Sequence, residues 1–364
     1  MTAANGADLA RAYWERVVGP LLHRGFPGLP HAAGRLGTGS DVLGLDDATS
    51  RDHDWGLRLT LLVPADRVAE VGEFLAAELP GGFAGLPTRF PATGDPRPSY
   101  RVEVADPDAF ATARLGVDVT RPWTAADWLV PTGQAVLELT AGPLFTDTDG
   151  RTARLRERLT WYPRDVWHHV VACDWQRIDQ ELPFVGRTGQ VGDDLGSRVV
   201  TARLVRAAVH LGFLLEQRWV PYPKWEGTAF AALPRASAAA PALTAALAAG
   251  AWPQRQAALC EALEHLLRVQ RTAGLPATPT ATTPFHDRPF RCVAPALVPA
   301  VLAGAQDPAV RALPPGAGAV EQWVDAVDVL VDGRRRAAVG AAVGAAVTGA
   351  AGRVDQAPGV APGG

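Results

Sequence analysis

Two aspartates one residue apart, Asp52 and Asp54, open a stretch in which Trp55, Leu57, Leu59, Leu61 and Val63 occupy alternate positions. If residues 52 to 63 form a β-strand, Asp52, Asp54 and Arg58 project to one face, and His53 joins the apolar residues on the other. Two carboxylates on one face repel each other unless a cation lies between them. Such a pair, completed by substrate phosphate oxygens, is a usual way to hold Mg²⁺. Upstream lies the turn Gly37-Thr38-Gly39-Ser40, with eleven residues between Ser40 and Asp52. Glycines admit close backbone approach, and the free N–H groups and hydroxyl of such a turn can hold phosphate oxygens. Gly39 and Ser40 are therefore candidate nucleotide-binding residues, and Asp52 and Asp54 candidate metal and catalytic residues.

This arrangement resembles the nucleotidyltransferase superfamily related to DNA polymerase beta. Its signature is a Gly-Ser or Gly-Gly turn followed by Asp-hydrophobic-Asp/Glu on the next strand, here Gly39-Ser40 and Asp52-His53-Asp54. His53 is less apolar than the usual intervening residue, and an acidic, glycine-bearing linker from Asp41 to Asp47 stands where many members run a short helix. The resemblance implies a third carboxylate from a neighbouring strand, as metal ligand or as base for an acceptor hydroxyl. Glu103 in Val102-Glu103-Val104 and Asp118 in Val117-Asp118-Val119 both fit, and Glu103 is favoured because Arg101 to Val104 reads as a strand. It further implies in-line attack on the α-phosphate of a nucleoside triphosphate, with two Mg²⁺ ions clamping the attacking and leaving oxygens. The expected activity is transfer of AMP from ATP to a hydroxyl of a small-molecule acceptor. The alternative is a nucleotide-binding regulatory or toxin–antitoxin-type protein with a protein or RNA acceptor, or with no turnover.

From about residue 10 to 330 the chain also resembles the bacterial family known as domain of unknown function 4037. The resemblance rests on Gly39-Ser40-Asp41-Val42-Leu43-Gly44, Ser50-Arg51-Asp52-His53-Asp54-Trp55-Gly56, Trp175-Gln176-Arg177-Ile178, Val191-Gly192-Asp193 and Tyr222-Pro223-Lys224-Trp225-Glu226-Gly227. It implies a nucleotidyltransferase domain followed by a helical domain and supplies no acceptor.

Of the 35 Lys and Arg residues only Lys224 is a lysine. A compact ammonium kept where every other cation is a planar guanidinium points to a role the fork cannot fill, such as reaching a β- or γ-phosphate. Its neighbours Trp219, Tyr222 and Trp225 would suit a nucleotide pocket wall; Tyr222, Lys224 and Trp225 join the candidate nucleotide-binding residues.

The composition fits a soluble two-domain chain: 364 residues, 48% hydrophobic, 20% charged. A net charge of -3 leaves no electrostatic footprint for DNA. Cys173, Cys260 and Cys292 are odd in number and far apart, which excludes a disulfide framework and a cysteine zinc site, and a reducing cytoplasm fits. No basic, apolar leader is evident at the N-terminus. The Ala337–Ala351 run is too short and too poor in large side chains to span a membrane, so no membrane role is expected. No His-Glu-x-x-His, Gly-x-Ser-x-Gly or complete dinucleotide fingerprint occurs.

The expected fold is α+β: a nucleotidyltransferase-type mixed sheet with flanking helices over 1–150, an all-α helical bundle over 151–332, and an Ala/Gly/Pro-rich tail over 333–364. Helices are expected at Leu9–Leu22, Asp66–Leu79, Asp165–Glu181, Ser197–Arg218, Pro241–Ala249 and Pro253–Thr272, with Ser197 as an N-cap. Strands are expected at Tyr100–Val104 and Val136–Thr140, and loops at Pro80–Pro98 and Gly186–Gly196.

Overall fold

The computed structural model describes residues 5–47, 49–51, 55–92, 95–314 and 316–341. Its contacts divide the chain into two units, one of residues up to Arg121 with Gly133–Thr160, the other of Pro122–Thr132 with residues from Trp161 on.

The first unit opens with one helical run, α1 (Gly6–Tyr13) and α2 (Gly19–Gly25), joined through a π-turn at Trp14–Val18. Pro20 explains the widening: it lacks an N–H, and its ring would press on the carbonyl of Arg16 in a regular helix. Strand β1 (Ala32–Gly34) then pairs antiparallel with β2 (Leu59–Leu62). Helix α3 (Val68–Glu78) follows. Two small hairpins come next: β3 (Gly82–Phe83) with β4 (Leu86–Pro87), and β5 (Arg89–Ala92) with β6 (Asp95–Tyr100). Strand β7 (Val102–Ala105) then pairs parallel with β2. Helices α4 (Pro107–Leu115) and α5 (Gly133–Thr140), strand β8 (Leu144–Asp147) and helix α6 (Arg151–Arg158) complete the unit. The sheet order is β7-β2-β1-β8, mixed because β1 is antiparallel to both neighbours while β2 and β7 are parallel. A parallel pair needs a crossover, and α3 with the hairpins forms it.

Leu57, Leu59, Leu61 and Val63 are all buried, in one core with Leu9, Tyr13, Leu22, Val71 and Leu75. Full burial of each such side chain is worth about 1.5–3 kcal/mol, so the alternation fixes which face of β2 meets the helices.

Several expectations are corrected here. The strand expected over 52–63 is only Leu59–Leu62 among the described residues. At Gly56 the backbone has φ 149° and its carbonyl accepts from the N–H of Arg58 at 2.9 Å, a tight turn that interrupts the pleat. Val136–Thr140 is helical, within α5. Pro80–Pro98 is two hairpins rather than a loop. The Tyr100–Val104 strand is divided between β6 and β7.

The second unit is built on helices α7 (Arg164–Gln190) and α8 (Asp194–Leu215). Helix α9 (Pro223–Ala231), α10 (Ala240–Ala248) and α11 (Trp252–Thr272) follow. The bundle carries one antiparallel hairpin, β9 (Thr282–Pro284) with β10 (Arg291–Val293). Short helices α12 (Leu297–Ala303), α13 (Pro308–Arg311), α14 (Val320–Trp323) and α15 (Val327–Leu330) precede a helical stretch at 333–341, in which Arg336 is buried. Trp175 is wholly buried on α7, its indole donating to Gln270 Oε1 of α11 at 2.6 Å.

The loop expected at Gly186–Gly196 shrinks to Val191–Asp193, because α7 runs on to Gln190. Gly186 and Gly189 are sites of close approach: a Cβ there would collide with Phe290 and with Trp252 respectively. The cap of α8 is Asp193, whose carboxylate accepts from Gly196 N at 2.7 Å. Ser197, expected as the cap, lies inside α8 and its buried hydroxyl donates to the carbonyl of Val185 at 2.8 Å. No helix among the described residues is long and apolar enough to cross a membrane.

Candidate functional site

In the first unit the chain leaves β1 at Arg35 and turns through residues 37–44. Arg35 organises this turn. It is 2% exposed, and its guanidinium grips Asp41 through Nε to Oδ2 at 2.6 Å and Nη2 to Oδ1 at 2.8 Å. It also donates to the carbonyls of Leu36 and Thr38, each at 2.7 Å. Gly39 passes between these two side chains at φ 137°, where a Cβ would collide with both. Only glycine fits, both for backbone conformation and for space. The carbonyl of Ser40 accepts from Leu43 at 3.1 Å and Leu45 at 2.9 Å, closing the turn onto itself.

Beside the turn lies an open cleft of ≈ 250 Å³. Arg35 and Leu36 form one wall, Arg58 to Thr60 on and before β2 the floor, and Tyr100 to Glu103 the other wall. Arg58 Nη2 reaches Thr38 Oγ1 at 3.3 Å, and Thr60 Oγ1 donates to the carbonyl of Leu36 at 3.3 Å, so turn and strand are tied together. Arg101 donates from Nε to the carbonyl of Phe90 at 3.1 Å. With Arg35 balanced by Asp41, Arg58 and Arg101 line the cleft beside Glu103, and guanidinium groups are suited to phosphate or carboxylate oxygens.

The carboxylate is Glu103. It lies directly across from Thr60 in the β2–β7 register. Both of its oxygens accept from Nη2 of Arg114, in the last turn of α4, at 3.0 Å. Arg114 is further held by Glu138 at 3.6 Å and by the ring of Phe110, 3.5 Å below its guanidinium. The Glu103 side chain remains 49% exposed, so exchange of Arg114 for another cation would cost little. Asp118 is in a different setting. It follows α4 in a turn, where its Oδ1 accepts from the N–H and hydroxyl of Thr120 at 2.9 and 2.7 Å. Those bonds hold its carboxyl below the ordinary range. It is no strand residue, contrary to the pattern that put it forward.

Asp52, His53 and Asp54 lie outside the described residues. Among the described residues no group of three or more His, Cys, Asp or Glu side chains is gathered to hold a metal. Of the candidate third carboxylates, both Glu103 and Asp118 are described. Glu103 is half exposed on its strand, where its exposure and charge fit a ligand that gives up Arg114, whereas Asp118 is held by Thr120 in its own turn.

The remaining candidates belong to the second unit. Tyr222 is the residue before α9, and Lys224 is exposed in the first turn with Nζ 5.0 Å from the ring centre of Trp225. Trp219 is drawn away from them into an aromatic cluster with Trp161 and Tyr162, at centroid distances of 4.7 and 4.5 Å. His168 and His169 are buried, bonded to the carbonyls of Val301 and Ala317.

Sequence reasoning missed the Arg35–Asp41 pair, although the two residues flank the Gly-Ser turn six apart. It also missed a buried triad in the second unit. There, His210 Nδ1 lies 2.6 Å from Asp174 Oδ2, and Nε2 faces Glu321 at 3.7 Å. Burial alone would lower the imidazole pKa, but the two carboxylates outweigh it and raise it to about 10. Nothing in the spacing of residues 174, 210 and 321 announces that meeting.

Residues 128–226 match the model of the family described as domain of unknown function (DUF4037). The strings at Trp175–Ile178, Val191–Asp193 and Tyr222–Glu226 fall inside this segment, and those around Gly39 and Asp52 fall outside it. No curated protein matches the chain. Among solved structures the chain is similar to a nucleotidyltransferase-like protein from Exiguobacterium sibiricum 255-15. The two are 11% identical over 72% of this chain and 76% of that chain, with a TM-score of 0.34. At that distance no residue can be carried from one chain to the other.

Proposed function

We propose that this chain is a Mg²⁺-dependent nucleotidyltransferase that moves AMP from ATP to a hydroxyl of a small-molecule acceptor. One observation carries the reading. Arg35 and Leu36, which lead into the turn that ends in Gly39-Ser40, strand β2 and the acid on the parallel strand beside it all border one arginine-lined cleft. In this proposal the Gly39 and Ser40 N–H groups and the Ser40 hydroxyl hold phosphate oxygens, with Arg58 and Arg101 neutralising their charge. Asp52 and Asp54 would hold the metal, and Glu103 serves as third carboxylate, either completing the metal site or taking the proton of the attacking hydroxyl. Mg²⁺, when bound, supplies neutralisation of the charge that builds on the phosphoryl and leaving oxygens. Tyr222, Lys224 and Trp225 are assigned to nucleotide contacts by residue type, the lysine to phosphate.

A second reading, nucleotide binding without turnover, is favoured by one feature: Arg114 already occupies both oxygens of Glu103. A cleft so furnished can bind a triphosphate by its arginines alone.

Calorimetric titration with ATP, GTP, CTP and UTP, with and without Mg²⁺, on wild type and Asp52→Asn/Asp54→Asn separates the two. Metal-dependent binding lost in the double variant is the expected result, together with a Glu103→Ala protein that binds Mg²⁺-ATP and releases no pyrophosphate. Binding indifferent to metal and to the aspartates supports the second reading, and no binding of any triphosphate overturns both.

A further inference from the structure

Helix α7 carries a stripe that breaks the rule of its own bundle. Positions 173, 176, 177 and 180 recur at helical spacing and share a face, yet they hold Cys173, Gln176, Arg177 and Gln180. The neighbouring stripe, Trp175, Ile178 and Leu182, is buried as the core of a bundle requires. The polar stripe lines a cavity of ≈ 340 Å³ within the second unit, closed by Glu181, by Arg203 of α8 and by Trp323 of α14.

The cavity wall has donors and acceptors to spare. Arg177 spends Nη1 on the carbonyl of Gln322, and Arg203 spends Nη2 on Glu181 Oε1 at 2.6 Å. The other oxygen of that carboxylate, Glu181 Oε2, is buried and accepts no hydrogen bond. An anionic oxygen left so is costly unless a donor reaches it. Trp323 is 42% exposed, with its indole N–H donating to the carbonyl of Gly318 at 3.3 Å, which fixes the ring as one wall. Cys173 takes no part as a nucleophile, since burial raises its thiol to about 12.

We propose that this cavity binds a small zwitterion of amino-acid type with a planar side group. Its carboxylate is recognised by Arg177, with the Gln176 and Gln180 amides beside it, its ammonium by the buried oxygen of Glu181, and its planar group by the face of Trp323. Two guanidinium groups against one carboxylate leave the wall net cationic, which requires the ligand's carboxylate. The buried, unpartnered Glu181 oxygen is the acceptor assigned to its ammonium. This site is independent of the nucleotide reading, and neither stands on the other.

The test is calorimetric titration of the full chain with L-phenylalanine, phenylacetate and phenethylamine. L-Phenylalanine is expected to bind, and each of the other two, lacking one charge, to bind about tenfold more weakly or worse, the weight of one charge-assisted hydrogen bond. Arg177→Gln should erase the advantage of L-phenylalanine over phenethylamine, and Glu181→Gln its advantage over phenylacetate. If Arg177→Gln does not fold, by circular dichroism, the exposed substitutions Trp323→Ala and Gln180→Ala carry the test and should each weaken L-phenylalanine severalfold. Absence of saturable binding overturns the proposal. So does phenylacetate binding as tightly as L-phenylalanine, which marks a plain anion site, or binding that Trp323→Ala and Gln180→Ala leave unchanged.

Discussion

The first unit buries its charge in a guanidinium–carboxylate pair, Arg35 with Asp41. The second buries one that exists only while a proton is held, Asp174 with His210. Both pairs are out of water and both meet at about 2.6 Å. They differ in what they fasten. Arg35 and Asp41 are six residues apart and shape one turn beside an open cleft, whereas Asp174, His210 and Glu321 join α7, α8 and α14. A buried ion pair is poor evidence for net stability and better evidence for a geometry that has to be unique. The first pair therefore reads as a device for holding one turn, the second as a device for holding a bundle in register.

The most damaging change should be to strand one ion of the first pair. Arg35→Ala or Asp41→Ala is expected to lower unfolding free energy by about 3–5 kcal/mol, because the partner is left buried and uncompensated. Urea denaturation reads this directly. The double substitution Arg35→Met/Asp41→Leu should recover much of that stability, and if it also recovers triphosphate binding, the pair does not shape the loop for a ligand.

The second pair should show itself in pH. The folded-state pKa of His210, about 10, lies above the ordinary imidazole value of 6.5. Its contribution is therefore complete below about pH 6.5 and lost progressively as pH rises toward 10. Arg206, Glu226 and Tyr162 surround the same site; burial raises both the Glu226 carboxyl and the Tyr162 phenol. Stability measured by urea between pH 6.5 and 10 should fall by on the order of a few kcal/mol, and His210→Gln should flatten that slope. A wild-type profile no steeper than the variant's would show that His210 is neutral when folded.

Lys224 gives the smallest expected effect. Lys224→Arg should raise the KM for nucleotide by about fivefold, roughly the 1 kcal/mol of one hydrogen bond, with kcat and melting temperature unchanged. An unaltered KM would confine nucleotide contacts to the first unit and sharpen the contrast between the two.

What could be read from the chain beforehand follows the range of the interactions involved. Long amphipathic helices such as α3, α8 and α11, and the buried face of Leu57, Leu59, Leu61 and Val63, declare themselves through local periodicity. Val136 to Thr140 misled because a short apolar run alternates as well in a helix turn as in a strand, and packing decides. Gly186 and Gly189 read as a loop because glycine signals a turn, whereas here the missing side chain admits Trp252 and Phe290, some sixty and a hundred residues away. Around the candidate site, the turn at Gly39-Ser40 and the strand position of Glu103 were legible. Arg114, which holds Glu103, and the meeting of residues 174, 210 and 321 were not, since each depends on tertiary neighbours that no spacing encodes.

The chain has a single side-chain amine, and it stands exposed at the start of α9 with an indole 5.0 Å away. Amine-directed acylation will therefore install one side-chain label at Lys224 without any substitution, and a dye placed there has Trp225 as an adjacent quencher. The natural protein comes with its own reporter position, through which changes around α9 on addition of a ligand can be followed in real time.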